Sequence, residues 1–122
     1  MSTIIATTLS NGSVSVPTAT VVNGSAKVWV NISGTGTAFI RDSLNTSSLT
    51  DLGTGLFQVT FVNAFLAVDF SATVGTQLSV SVQNVTQNLA NPSTTTQNAN
   101  CYENGAPTDP LTCSMGMHGD LA

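Results

Sequence analysis

The segment from Ala26 to Phe61 alternates apolar and polar residues between short glycine-containing turns, and it carries little charge. Successive side chains of a β-strand point to opposite faces, so a period of two indicates a strand with one buried face. Val28, Val30 and Ile32 occupy one such face near the beginning of the segment. The segment therefore predicts paired strands that cover a common core.

Two Gly-Thr-Gly triplets, at 34–36 and 53–55, separate the alternating runs. Glycine adopts positive φ without steric penalty, so the triplets predict tight hairpin turns. Neither triplet has the lysine or the following helix of a phosphate-binding loop. Further short alternating runs flank the segment. Together they predict an all-β fold: a single β-sandwich or jelly-roll-like domain with an irregular C-terminal tail.

The alternation fades near residue 88, where the sequence becomes NLANPSTTTQNANC. Such a polar stretch, containing proline and few apolar residues, is typical of a linker or surface loop. We therefore expect a β-sandwich domain over residues 1–88. A linker and an irregular C-terminal arm should follow over residues 89–122.

The composition excludes several classes of partner. Only 7% of the 122 residues are charged, the net charge is -4, and Lys27 and Arg41 are the only basic residues. Nucleic-acid binding depends on Lys and Arg that neutralise phosphates, so we expect no nucleic-acid partner. The same shortage disfavours anionic membranes. The apolar runs are too short to span a bilayer, and the N-terminus lacks the pattern of a signal peptide.

Cys101 and Cys113 enclose a short segment that contains proline and glycine. Three interpretations of the pair are open: a disulfide that restrains the tail, two free thiols, or a metal site. A metal site would have to recruit His118, and it lacks both a Cys-x-x-Cys spacing and an obvious fourth ligand. We expect no cofactor and no metal.

His118 is the only histidine, so any catalytic triad would have to include it. It lies near the C-terminus between glycines 116 and 119, where precise positioning is not expected. The six carboxylates are spread along the chain and form no evident acid–base pair. We therefore expect an exposed tail histidine, no catalytic residue and no enzymatic activity.

Trp29 lies on the polar side of its predicted strand. Two interpretations are open. The indole packs under a second sheet or a subunit, or it forms a platform on which a glycan stacks.

Five short sequence motifs follow one another in the middle of the chain: WVN at 29–31, GTGT at 34–37, IRDS at 40–43, SSLTD at 47–51 and GTG at 53–55. In this order they resemble a structural β-domain of bacteriophage tail fibres and related virion proteins. The resemblance covers about residues 16–74. It implies an all-β structural protein on the exterior of a phage particle.

The chain departs from this family in two apolar stretches. Leu56-Phe57 follows the second triplet, and NAFLAVDF occupies residues 63–70, where the family is more polar. Additional apolar surface is what a subunit interface requires. We therefore expect an interface at five residues: Leu56, Phe57, Phe65, Leu66 and Phe70.

Three functions follow as hypotheses. The first is a structural protein of a tailed-phage appendage, such as a tail fibre or knob, that self-associates as a homotrimer and contacts host surface glycans. The second is a capsid decoration protein that cements capsomer junctions with its terminal arms. The third, from a different class, is a carbohydrate-active enzyme, against which the single histidine and the scattered carboxylates argue.

Overall fold

The computed structural model describes residues 1–78 and 85–122, with the side chains of the strand after the gap described from Leu89 onward. Among these residues β-strands predominate, and there is one short helix. The elements, in chain order, are β1 (Thr8–Ser10), β2 (Ser15–Pro17), α1 (Thr18–Gly24), β3 (Val28–Ser33), β4 (Phe39–Leu44), β5 (Thr46–Gly53), β6 (Leu56–Phe61), β7 (Ser71–Gln77), β8 (Val85–Ala90), β9 (Thr96–Glu103), β10 (Ala106–Pro107) and β11 (Thr112–His118).

Two antiparallel sheets of the described residues form a sandwich. The first has the strand order β4-β3-β11-β7. In the second, β5 pairs with β6 and β6 with β9, and β9 also pairs with β8 and with the short β10. The hairpin β1-β2 stands apart from both sheets. The prediction of an all-β single domain is confirmed.

The core lies between the two sheets and follows the alternation of the sequence. In β3, Val28, Val30 and Ile32 are fully buried while Trp29 between them faces outward. The second sheet contributes the inward rows of β6 and β9, and β11 completes the first. The buried apolar residues from these three strands are Phe57, Val59, Phe61, Ala99, Cys101, Cys113, Met115 and Met117. Burying each large side chain contributes about 1.5–3 kcal/mol.

The prediction of an irregular arm over residues 89–122 is wrong. This segment contains β9 and β11, which lie inside the two sheets and pair with strands on both of their edges. The inward row of β11 alternates as strictly as that of β3, because Cys113, Met115 and Met117 are buried between half-buried neighbours. The boundary predicted at residue 88 therefore divides one packed core, and the C-terminal segment is part of the domain.

The first Gly-Thr-Gly triplet does more than turn the chain. Gly34 is buried, and its N–H donates a hydrogen bond to the Pro110 carbonyl at 3.0 Å. A Cβ atom at position 34 would lie 2.7 Å from Pro110 Cδ and 2.9 Å from Phe57 Cζ. Only a residue without a side chain allows this close approach.

The second triplet contacts the same C-terminal segment. Gly55, with φ at 68°, donates its N–H to Asp109 Oδ1 at 2.6 Å, and its carbonyl accepts the Cys101 N–H at 2.7 Å. The two triplets thus hold residues 108–110 against the sandwich. Glycine is therefore required at positions 34 and 55 by the close approach of the C-terminal segment, and at position 55 also by the positive φ of its turn.

The apolar stretch 63–70 forms a loop that closes one end of the sandwich. Phe65 is buried, and its ring stacks on Phe70 with centroids 4.4 Å apart. The loop is joined to the C-terminus by the Leu66 N–H, which donates to the Asp120 carbonyl at 2.8 Å. The next strand, β7, begins directly after this loop at Ser71.

Candidate assembly surface

Residues 1–24, named here the N-terminal arm, contain β1, β2 and α1 and have no buried side chain. Every residue of the arm is exposed except Thr18, which is half-buried. The arm also contains no charged side chain. Its large exposed apolar residues are Met1, Ile4, Ile5, Leu9, Val14, Val16, Val21 and Val22. The arm forms a hairpin and a short helix, but it contains no buried hydrophobic core.

Local hydrogen bonds give the arm its shape and attach it to the sandwich. The Thr18 N–H donates to the Thr7 carbonyl at 2.9 Å, which fixes the helix against the hairpin. The Lys27 ammonium donates to the Val22 carbonyl at the end of α1. The Lys27 backbone N–H donates to the Met117 carbonyl at 2.8 Å, next to the first residues of β3.

A cleft of about 370 Å³ opens where the arm leaves the sandwich. Asn23 lines it from the arm, and the sandwich contributes the side chains of Asp69, His118 and Asp120 beside the apolar Leu66 and Phe70. Such a cleft offers hydrogen-bond acceptors beside apolar contacts. Among the described residues, no three His, Cys, Asp or Glu side chains are placed to hold a metal ion together.

The expected exposed tail histidine is in fact part of β11. His118 is half-buried, pairs across the sheet with Ser71, and lines the cleft. The expectation failed because residues 112–118 form a strand rather than a loose end. The prediction that the chain has no catalytic residue stays a prediction.

The five residues predicted at a subunit interface divide into three groups. Phe57 and Phe65 lie in the core with exposures of 0% and 1%, so they are wrong as interface residues. Leu56 and Phe70 are half-buried. Leu66 is 68% exposed and is available to a partner. Phe57 is buried because it lies on the same face of β6 as Val59, and this face points into the core.

Trp29 lies on the outer face of the first sheet with 37% of its surface exposed. It stands opposite Leu44 of β4 on one side and Gly116 of β11 on the other. No second sheet of the described residues covers this face, and glycine at position 116 leaves one side of the indole open. The position is compatible with either a subunit contact or a stacked glycan.

Cys101 and Cys113 face each other across the sandwich from β9 and β11. Both are fully buried, and their Sγ atoms lie 4.0 Å apart without a bond between them. The Cys113 thiol can donate to a Cys101 thiolate and so lowers the pKa of Cys101, against the opposing effects of burial and of Asp109. The hydrogen bond with Cys101 and burial raise the pKa of Cys113. Formation of a disulfide stays a prediction.

None of the described helices is both long and apolar enough to cross a lipid bilayer. No family model, no curated protein and no solved structure matches this chain. The resemblance to phage virion domains is therefore carried by the sequence motifs alone.

The arm was not recognised from the sequence as a distinct part of the molecule. Asn11-Gly12, a favoured hairpin dipeptide, forms the turn between β1 and β2, and the residues after β2 form α1. Lack of charge does not set the arm apart, because residues 70–102 are also uncharged and contribute β7 and β8 to the sandwich. What distinguishes the arm is that none of its apolar residues is buried, which only the structure shows.

Proposed function

We propose that this chain is a non-enzymatic structural protein of a tailed-phage particle. It self-associates as a homotrimer and forms part of an external appendage of the tail-fibre or knob type. The observation that carries the proposal is the N-terminal arm, which exposes apolar side chains and contains no charged side chain. The short sequence motifs that resemble virion domains support the assignment to a phage particle.

The arm favours assembly for an energetic reason. Apolar surface left in water is unfavourable by about 25 cal/mol per Å², and the arm has no core of its own in which to bury it. Ile4 and Ile5 are 92% and 93% exposed in the single subunit. Contact with a neighbouring subunit removes this surface from water, so the assembled form is favoured over the free one.

The same arm also favours the alternative role of a capsid decoration protein. A decoration protein must reach across capsomer junctions, and an arm that leaves a closed sandwich is suited to this. The C-terminal segment, which the sequence assigned to the same role, cannot act as an arm because it forms the central strands β9 and β11.

Copy number in purified particles tests the proposal and separates the two roles. We expect the chain to be present on the order of tens of copies per particle, in a multiple of three, as symmetric appendages require. Quantitative mass spectrometry against the major capsid protein measures this ratio. Hundreds of copies would favour decoration instead, and absence from washed particles would contradict both roles.

Contact with host surface glycans forms part of the proposal and assigns Trp29 the role of a stacking platform. We expect Trp29→Ala to weaken binding to purified host surface polysaccharide by roughly 2- to 10-fold, because one aromatic contact is lost. Phe39→Ala is the matched control, since Phe39 is also an exposed aromatic residue, on β4. Equal binding by wild type and both variants would remove Trp29 from the proposal.

A further inference from the structure

We propose that the end of the sandwich from which the arm leaves is a docking surface for the arm of a second copy of this chain, so that neighbouring subunits exchange arms. The inference rests on the self-association in the proposed function. It adds which two surfaces meet.

Strand pairing defines this end, named here the arm end. In the first sheet, Met117 near the end of β11 pairs with Val28 at the start of β3 and with Ala72 near the start of β7. Leu44, the last residue of β4, pairs with Trp29. The arm end therefore gathers the starts of β3 and β7 with the ends of β4 and β11.

The second sheet and the loop 62–70 close the same end. Thr46 at the start of β5 pairs with Phe61 at the end of β6. The Val62 N–H donates to the carbonyl of Asn45 at 3.1 Å, which joins the two sheets where β4 passes into β5. Residues 62–70 follow directly and bond to the chain after β11 through the bridge between Phe65 and Leu121.

Large exposed apolar residues outside the arm are concentrated at the arm end. Val62 and Leu66 are 63% and 68% exposed, and both lie in a surface loop, where polar residues are usual. The exposed residues at this end are Trp29, Leu44, Val62, Leu66, Val68 and Leu121. Those elsewhere among the described residues are Phe39, Leu52 and Leu111. The apolar surface is thus placed beside the base of the arm.

The accessible surface of the single subunit is larger than that of a compact monomer. A compact monomer of 12.5 kDa is expected to expose about 6,200 Å². This chain exposes 7122 Å², an excess of about 900 Å². A stable interface buries roughly 800 Å² on each partner, so the excess is similar in size to one side of such an interface.

The chemistry of the two surfaces selects a second copy as the occupant. The arm carries no charged side chain with which to bind a charged partner. What it presents is a series of isoleucines, valines and a leucine, and the arm end presents leucines and valines. The arm is uncharged, and the arm end exposes its apolar side chains beside Asp69 and Asp120. The apolar parts of these two adjacent surfaces match when copies exchange arms in a closed ring.

Photo-crosslinking of the full chain tests the exchange directly. A benzophenone amino acid replaces Ile5, and protein labelled with ¹⁵N is mixed and refolded with unlabelled protein before irradiation. We expect crosslinks that join the arm of a labelled chain to residues 62–70 of an unlabelled chain, and the reverse. The mass of each crosslinked peptide pair then shows that its two halves come from different chains. The same crosslinker at Leu52, which is also exposed but lies at the opposite end, should not reach the arm. Crosslinks confined to single chains, or directed to the Leu52 end, would overturn the inference.

A charge placed in the docking surface provides the second measurement. Leu66→Asp should raise the dissociation constant of the oligomer at least about tenfold, whereas Leu52→Asp should leave it unchanged. Both side chains are exposed, so circular dichroism of both variants should match the wild type. Equal dissociation constants for the two variants would overturn the inference. If the chains exchange arms in solution but the protein is absent from phage particles, only the proposed function is overturned. If the protein is present in particles but its chains do not exchange arms, only this inference is overturned.

Discussion

Replacing Gly55 by alanine should destabilise the domain by about 3 kcal/mol or more, whereas the matched replacement Gly36→Ala should lower its stability by only about 1–2 kcal/mol. Both glycines belong to Gly-Thr-Gly triplets and have similar φ angles, 68° and 71°. The backbone penalty for an L-residue at positive φ is therefore the same at both positions. The difference between the variants reports the surroundings of the new methyl group.

Those surroundings are opposite in character. A Cβ atom at position 55 would lie 2.4 Å from the Cys101 carbonyl oxygen and 2.8 Å from the Thr108 nitrogen, which are backbone atoms of the packed C-terminal segment. A Cβ atom at position 36 meets nothing within 4 Å. Urea denaturation of the two variants measures the free energies of unfolding. Equal losses would show that Gly55 is needed only for its turn and would contradict the docking of residues 108–110 described above.

Oxidation of Cys101 and Cys113 to a disulfide should raise the free energy of unfolding by about 3 kcal/mol, because the bond closes a loop of this length in the unfolded chain. Their Sγ atoms are 4.0 Å apart, and bonding requires an approach to about 2.05 Å. The lowered pKa of Cys101 makes its sulfur the first thiolate to form, and the thiolate is the reactive species.

Refolding at low protein concentration with diamide provides the test. Diamide takes up the two thiol hydrogens and becomes the hydrazine as the S–S bond forms, so the intact mass falls by about 2 Da. The oxidised protein should unfold at higher urea concentration than the reduced protein, and dithiothreitol should reverse the gain. Cys113→Ala is the control, because its stability should not respond to diamide. An oxidised protein that is no more stable than the reduced one would contradict the prediction.

The sequence predicted the fold class because residues 28–32 and 57–61 alternate clearly and the turns between the strands are marked by glycine. It did not predict the central strands β9 and β11. In β9 the inward row includes Gln97, whose amide is buried and donates to the Ala90 and Asn98 carbonyls. Only Ala99 and Cys101 remain as apolar members of this row, and two residues are too few to reveal a period. In β11 the period is present, but Cys113, Met115 and Met117 lie among residues that were interpreted as a loose tail.

The assembly surface was predicted only in part. Leu66 is exposed as the interface hypothesis requires, while Phe57 and Phe65 were assigned to the interface by comparison with a more polar family pattern. Phe57 alternates with Val59, and this alternation indicated the core correctly. The arm end could not be predicted, because it is defined by which strand termini meet in space, and strand order does not follow from the periodicity of one sequence.

The mass of the intact chain in solution tests self-association most directly. Sedimentation equilibrium over a wide range of concentration should give three copies of the 12.5 kDa chain, in reversible exchange with the single subunit at the lowest concentrations. A chain that stays a 12.5 kDa monomer at every concentration would contradict the account, since the exposed arm would then remain uncovered.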